Sequence, residues 1–153
     1  MNIGVVIDNE LNDDKRVLRE IQILKEAGYG IFVLCFGFNN RNYKTIEGIT
    51  VTRIRISKKL KDFVFFFLNL IPAYEWLWRA RIKKFIEANR IEFLHVHDLY
   101  MSKAGRKGIE KSGKKIPMIL DLQGSTAIFA HLVTLRFKRP AGVAGPTVGA
   151  SSF

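Results

Sequence analysis

His95 and His97 are separated by one residue, and Asp98 follows directly. In a strand the two imidazoles project from one face, because side chains alternate across the sheet. Two imidazoles beside a carboxylate could begin a site for a divalent transition metal, so a small metallohydrolase using His95 and His97 is one reading. A pattern that continues His-x-His into an Asp-His pair would need a histidine directly after Asp98, and the chain has Leu99. The alternative sets His95 between strand and helix and His97 at the rim, with no metal, and that is the expectation.

Other catalytic signatures are missing. The first apolar run is followed by Asp-Asn-Glu-Leu-Asn-Asp-Asp, without the G-x-G-x-x-G turn that lets a backbone approach a pyrophosphate. No G-x-x-x-x-G-K-[ST] loop and no G-x-S-x-G nucleophile turn occur. These absences argue against an ordinary dinucleotide domain, a P-loop enzyme and a serine hydrolase of the α/β type, and no cofactor is expected.

The elements that must position these residues follow from periodicity. Residues 3–7 are nearly all apolar, as a strand covered on both faces should be. The run stops at Asp8. Asp13 is expected to cap a helix with Asp14 in its first turn, and Val17, Leu18, Ile21 and Leu24 line one face as far as Gly28. A second buried strand covers 30–36. Residues 48–56 read as a strand near the sheet edge whose apolar face changes midway. A helical pattern runs from Lys58 to Asn89, divided at Pro72 because proline removes a hydrogen bond and clashes with the preceding turn. A fourth strand ends near His97, a helix continues to about Ser112, and Ile-Pro-Met-Ile-Leu-Asp-Leu supplies a fifth strand. Strand and helix in alternation predict an α/β fold: a Rossmann-like, three-layer parallel sheet of order 3-2-1-4-5 in one domain. Ligands in such sheets sit outside the carboxyl ends of the strands, near the switch point between strands 1 and 4.

The net charge of +11 favours anionic surfaces without choosing among them, and no nucleic-acid motif organises the basic residues. The run from Phe63 to Ile71 is too short and too interrupted to span a bilayer, which needs about 20 apolar residues. The expectation is a helix buried against the sheet; the alternative is that, flanked by Lys58, Lys59 and Lys61, its Phe65, Phe66 and Phe67 touch an anionic membrane or a greasy acceptor, as in a stand-alone membrane-surface or anion-binding module. One cysteine, Cys35, excludes an internal disulfide framework, and the chain reads as cytoplasmic, with peripheral contact at the inner face of a membrane as an option.

With these motifs in view, the chain resembles the amino-terminal domain of the retaining glycosyltransferases of GT-B fold, the group 1 or family 4-like transferases. Asp14, Arg16, Val17, Glu20, Leu24 and Gly28 match that family's Asp-x-Arg-Val-x-x-Glu helix and its exit, and the strands ending at His97-Asp98 and Asp121-Leu122 match two more segments. The resemblance implies the acceptor-binding half of an enzyme that moves a sugar from a nucleotide sugar to a glycan or lipid-linked acceptor, with Asp14, Arg16, His97 and Asp98 as substrate-binding residues. It also implies inactivity alone, because the nucleotide-sugar domain is missing. Gln123 stands where the family usually has histidine, so no complete catalytic set is expected.

The resemblance ends near residue 122. All 14 acidic residues lie at or before Asp121, and residues 123–153 finish in a small-residue stretch. Such a stretch is too poor in apolar side chains to offset its ordering entropy. Residues 123–153 are therefore expected to be a loosely ordered, divergent tail, as a frameshift or truncated reading frame would leave.

Overall fold

A computed structural model of the chain describes residues 1–38, 46–67 and 73–121. The elements are β1 (Asn2–Val6), α1 (Lys15–Glu26), β2 (Gly30–Phe38), β3 (Ile49–Ile56), α2 (Lys58–Phe67), α3 (Ala73–Ala88), β4 (Phe93–His97), α4 (Ser102–Ser112) and β5 (Met118–Asp121). Single 3-10 turns at Leu11–Asp13 and Leu99–Met101 lie beyond the carboxyl ends of β1 and β4. All strand pairings are parallel, and the sheet order is β3-β2-β1-β4-β5, as the alternation of strand and helix predicts.

Alternate residues of each strand enter two separate cores. On one face Val17, Ile21 and Leu24 of α1 pack with Ile3, Val5, Ile31, Val33, Cys35 and Phe93. On the other, Tyr74, Trp78, Ile82, Phe85 and Ile86 of α3 and Met101 and Ala104 pack with Val6, Leu34, Phe36, Leu94 and Val96. Burial on both faces explains why the central strands read as continuous apolar runs. The edge strand β3 shows the same logic in miniature. Ile49 and Val51 pack on the α1 side while Ile54 and Ile56 pack on the α3 side, which is the midway change of face.

Local chemistry fixes the element ends. Asp14, and not Asp13, caps α1: its Oδ1 accepts hydrogen bonds from the backbone N–H groups of Arg16 and Val17, both at 3.1 Å. A carboxylate there satisfies donors that the first helical turn leaves open. Gly113 ends α4 at φ 69°, a left-handed conformation that lacks a steric penalty only for glycine, and so turns the chain back into β5. At Gly108 a Cβ would lie 2.6 Å from Ile82, so glycine permits the close approach of α3 and α4. No helix among the described residues is long and apolar enough to cross a membrane.

Candidate metal centre

The α1 face of the sheet carries one polar cluster inside its apolar core. His95 and His97 of β4 point to that face, and their rings lie 4.2 Å apart between centroids. In register, His97 pairs with Asp121 of β5, which brings a carboxylate alongside the imidazole. From above, α1 contributes Arg16 and Glu20, four residues apart and hence on one side of the helix. Glu20 occupies the helix's buried stripe together with Val17, Ile21 and Leu24.

The distances define a connected set. His97 Nε2 lies 3.5 Å from Glu20 Oε2, and His97 Nδ1 lies 3.4 Å from Asp121 Oδ2. Arg16 pairs with Asp121 at 3.1 Å and approaches Asp14 at 3.8 Å. One ligand atom each from Glu20, His95 and His97 lies within 4.8 Å of the others. The His97 and Glu20 side chains are 1 % and 2 % exposed, whereas Arg16 and Asp14, at 34 % and 27 %, reach solvent.

Burial makes both imidazoles hold protons poorly. His95 is held well below the ordinary histidine range, first by burial and then by His97 and Arg16 nearby. His97 is also lowered, again chiefly by burial, with Asp121 pulling in the opposite direction and Arg16 adding to the depression. Neutral imidazole is the form that offers a lone pair to a metal, so the electrostatics suit ligation.

One donor pair already stands at the spacing an ion requires. Tetrahedral coordination with bonds of about 2.1 Å places neighbouring ligand atoms about 3.4 Å apart. Glu20 and His97 already stand at 3.5 Å. Two nitrogens and one carboxylate oxygen are a donor set typical of zinc sites that keep a coordination position open.

The residues singled out from sequence divide in three. Asp14, Arg16 and His97 come together, and His95 joins them buried beside His97, which is not at the rim but 1 % exposed like its neighbour. Asp98, at φ 73° ahead of the Leu99–Met101 turn and with no side-chain cap, makes no ion pair with the cluster, but its charge acts on both His97 and Asp8. Lys58 and Lys59 are exposed on α2. Lys61 turns inward: its Nζ donates to the Asp8 backbone oxygen at 2.6 Å and lies 5.5 Å from the ring centres of Phe36 and Phe38. The side chains of Phe65, Phe66 and Phe67, and Gln123 with the rest of 122–153, lie outside the described residues.

The sequence does not assign Glu20 to the site, and it marks Asp8 as a place for chemistry without naming its partners. Glu20 stands out in the sequence only as part of a family motif, although a carboxylate at the i+3 position from Val17, within an apolar stripe, signals a buried charge in search of partners. Asp8, at the end of β1, forms a second cluster on the opposite face, accepting hydrogen bonds from the hydroxyls of Tyr74 and Tyr100 with Lys61 Nζ 3.8 Å from its carboxylate. Burial lifts Asp8 to about 6, against the lowering effect of Tyr100 and Lys61. Nothing in the spacing of these four residues announces that they meet.

Fold and site together define a doubly wound α/β domain with a buried histidine–carboxylate cluster. No family model matches the chain, and no curated protein matches it. Among solved structures it is similar to the C-terminal domain of the PF1911 hydrogenase from Pyrococcus furiosus, residues 83–215, at 12 % identity and a TM-score of 0.52, over 78 % of this chain and 90 % of that one. A second structure of the same domain, residues 78–226, gives 14 % identity and a TM-score of 0.49 over 79 % and 90 %. At this identity the likeness concerns the fold alone.

These comparisons overturn the glycosyltransferase reading, and with it the acceptor-domain function and the GT-B assignment. The physical reason lies in the motif residues themselves. Asp14 caps a helix, Arg16 pairs with Asp121, Val17 and Leu24 fill a core, Glu20 meets His97, and Gly28 takes φ 82° after α1. Each position has a local role that a doubly wound domain of another family could equally require.

Proposed function

We propose that this chain binds a divalent transition-metal ion through Glu20, His95 and His97, in a site suited to metal-dependent hydrolysis. The observation that carries the reading is the convergence of three buried donors from two elements, with ligand atoms within 4.8 Å of one another. An ion held by two imidazoles and one carboxylate keeps a coordination position for a water or a substrate oxygen, the arrangement on which hydrolytic metal sites depend. Arg16, at the solvent side, supplies a positive charge where an anionic substrate would approach. Zinc titration into metal-free protein tests the reading. One equivalent bound by the natural chain and lost in both His95→Ala and His97→Ala is the expected result; equal binding by all three chains would refute it.

A second reading rests on α2. Leu60 and Phe63 are 51 % and 58 % exposed and three residues apart, beside Lys58 and Lys59. Apolar side chains edged by ammonium groups suit a peripheral contact with an anionic lipid surface, which would place the chain at the inner face of a membrane. The metal site and this contact use different parts of the fold and do not compete.

A further inference from the structure

The metal reading makes Glu20, His95 and His97 the ligands, gives Arg16 a part only toward a substrate, and gives Asp121 none. We infer that Asp121 is a positioning residue for His97, and that Arg16 holds Asp121 in place. The inference rests on the metal reading and deepens it.

The argument begins with the two nitrogens of one ring. His97 Nε2 faces Glu20 at 3.5 Å, while Nδ1 faces Asp121 at 3.4 Å. A neutral imidazole carries one N–H and one lone pair, and the hydrogen bond made by one nitrogen decides which of them the other presents. A carboxylate at Nδ1 accepts an N–H and offers none. Nδ1 and the Asp121 oxygen are close without hydrogen-bond geometry, so Asp121 acts on the ring through its charge. Nε2 faces a second carboxylate, Glu20, so the ring's proton is settled only when an ion lies between Nε2 and Glu20: the proton then belongs on Nδ1, where the Asp121 charge favours it.

The carboxylate is itself held. Arg16 Nη1 lies 3.1 Å from the same Asp121 Oδ2, and Arg16 Nη2 approaches Asp14, the cap of α1, at 3.8 Å. A chain thus runs from the α1 cap through Arg16 and Asp121 to His97. Its parts are anchored on three elements, since Asp14 and Arg16 belong to the start of α1, Asp121 ends β5, and His97 ends β4. Partners behind the ligands in this way orient the ring and raise the ligand's basicity, and their loss typically weakens metal binding about 10- to 100-fold. The inward position of Asp121 agrees with the role: its side chain is 6 % exposed although it stands on the last described strand of the sheet.

The test separates this inference from the reading beneath it. Zinc affinity is measured for the natural chain and for Asp121→Ala, Asp121→Asn and His97→Ala, each checked for native circular dichroism. Asp121→Ala is expected to bind zinc about 10- to 100-fold more weakly. Asp121→Asn, which retains an acceptor oxygen without the charge, should fall between it and the natural chain. Two spectroscopic readings add what a purely structural role would not move. Nitrogen-15 spectra of histidine-labelled, zinc-loaded protein should show His97 protonated on Nδ1 in the natural chain, with the Nδ1 signal shifted in Asp121→Ala. Cobalt substituted for zinc should give visible absorption bands that differ between the two chains. Zinc binding and cobalt spectra in Asp121→Ala equal to those of the natural chain, or a His97 proton on Nε2, would overturn the inference while leaving the metal site intact. Failure of the natural chain itself to bind more zinc than His97→Ala would remove both.

Discussion

Glu20 Oε2 stands 3.5 Å from His97 Nε2, with both side chains almost wholly buried, although they come from α1 and β4 and are separated in sequence by β2, β3, α2 and α3. The contact exists because β4 pairs directly with β1 and α1 crosses over that part of the sheet. If it marks a metal site, ligand binding must stabilise the folded chain. Zinc at about 100 times its dissociation constant should add about 2.7 kcal/mol to unfolding stability. Glu20→Gln should lose most of that increment. Thermal or denaturant unfolding with and without zinc makes the comparison, and an equal zinc response in Glu20→Gln would count against the carboxylate as a ligand.

Asp8 should make stability depend on pH in the direction opposite to most carboxylates. Its folded-state value, about 6, lies above the ordinary 3.8, so between those values the folded chain holds the proton more tightly than the unfolded chain. Stability from this group is complete below about pH 4 and is lost as the pH rises through about 6, by about 3 kcal/mol on an order-of-magnitude basis. Asp8→Asn should flatten the profile over that window while keeping acceptors for Tyr74 and Tyr100. Urea unfolding at intervals between pH 4 and pH 7 measures it; an unchanged slope in the variant would assign the dependence elsewhere.

Asp14 serves two partners, the first-turn amides of α1 and the guanidinium of Arg16. Asp14→Ala removes a cap worth about 1 kcal/mol and should lower the urea midpoint without altering the dependence on denaturant. Asp14→Ser, which can still accept from the amides, should recover most of the loss. No recovery would show that the charge beside Arg16 matters more than the cap.

The α2 surface gives a prediction independent of any metal. Leu60→Ser with Phe63→Ser should reduce sedimentation of the protein with phosphatidylserine-containing vesicles at low salt, while neutral vesicles bind neither chain appreciably. Raising the salt should weaken the contact, because surface charges are screened within about 10 Å at 0.1 M. Equal sedimentation of the natural and substituted chains would exclude these side chains from the contact.

Trp78 and Ile82 measure how firmly the α3 core is packed. Both are fully buried, and Trp78 packs edge-on against Phe36 at 4.9 Å between ring centres. Ile82→Ala should cost about 2–5 kcal/mol, the range for removing a buried aliphatic side chain whose neighbours cannot fully collapse. A loss below about 1 kcal/mol, by urea unfolding, would mean that α4 moves in to fill the space left beside Gly108.

Most of the framework was legible along the chain. Runs such as Ile3–Ile7 and Ile31–Phe36 are apolar without alternation because helices cover both faces of the sheet, and the spacing of Trp78, Ile82, Phe85 and Ile86 fixes a helical face. Gly28 takes the left-handed conformation expected after α1, while the division expected at Pro72 lies outside the described residues. The cap moved by one residue, from Asp13 to Asp14, because several neighbouring side chains there can accept the same bonds and sequence does not rank them. His95 and His97 were visible as a pair on one strand face. The carboxylate they meet was not, since nothing in the local pattern around Glu20 says which strand α1 will cover.

By itself the sequence determined periodicity, strand and helix boundaries to within a few residues, and the order of the sheet, because each depends on local sterics and on short right-handed connections. Tertiary structure alone decided that Glu20, His95, His97, Asp121 and Arg16 share one buried cluster, and that Lys61 serves Asp8 from inside and not a membrane from outside. Those contacts depend on the rotation of α1 and α2 against the sheet. That rotation is set by how complete side chains pack in three dimensions, and a linear pattern of residue types does not contain it.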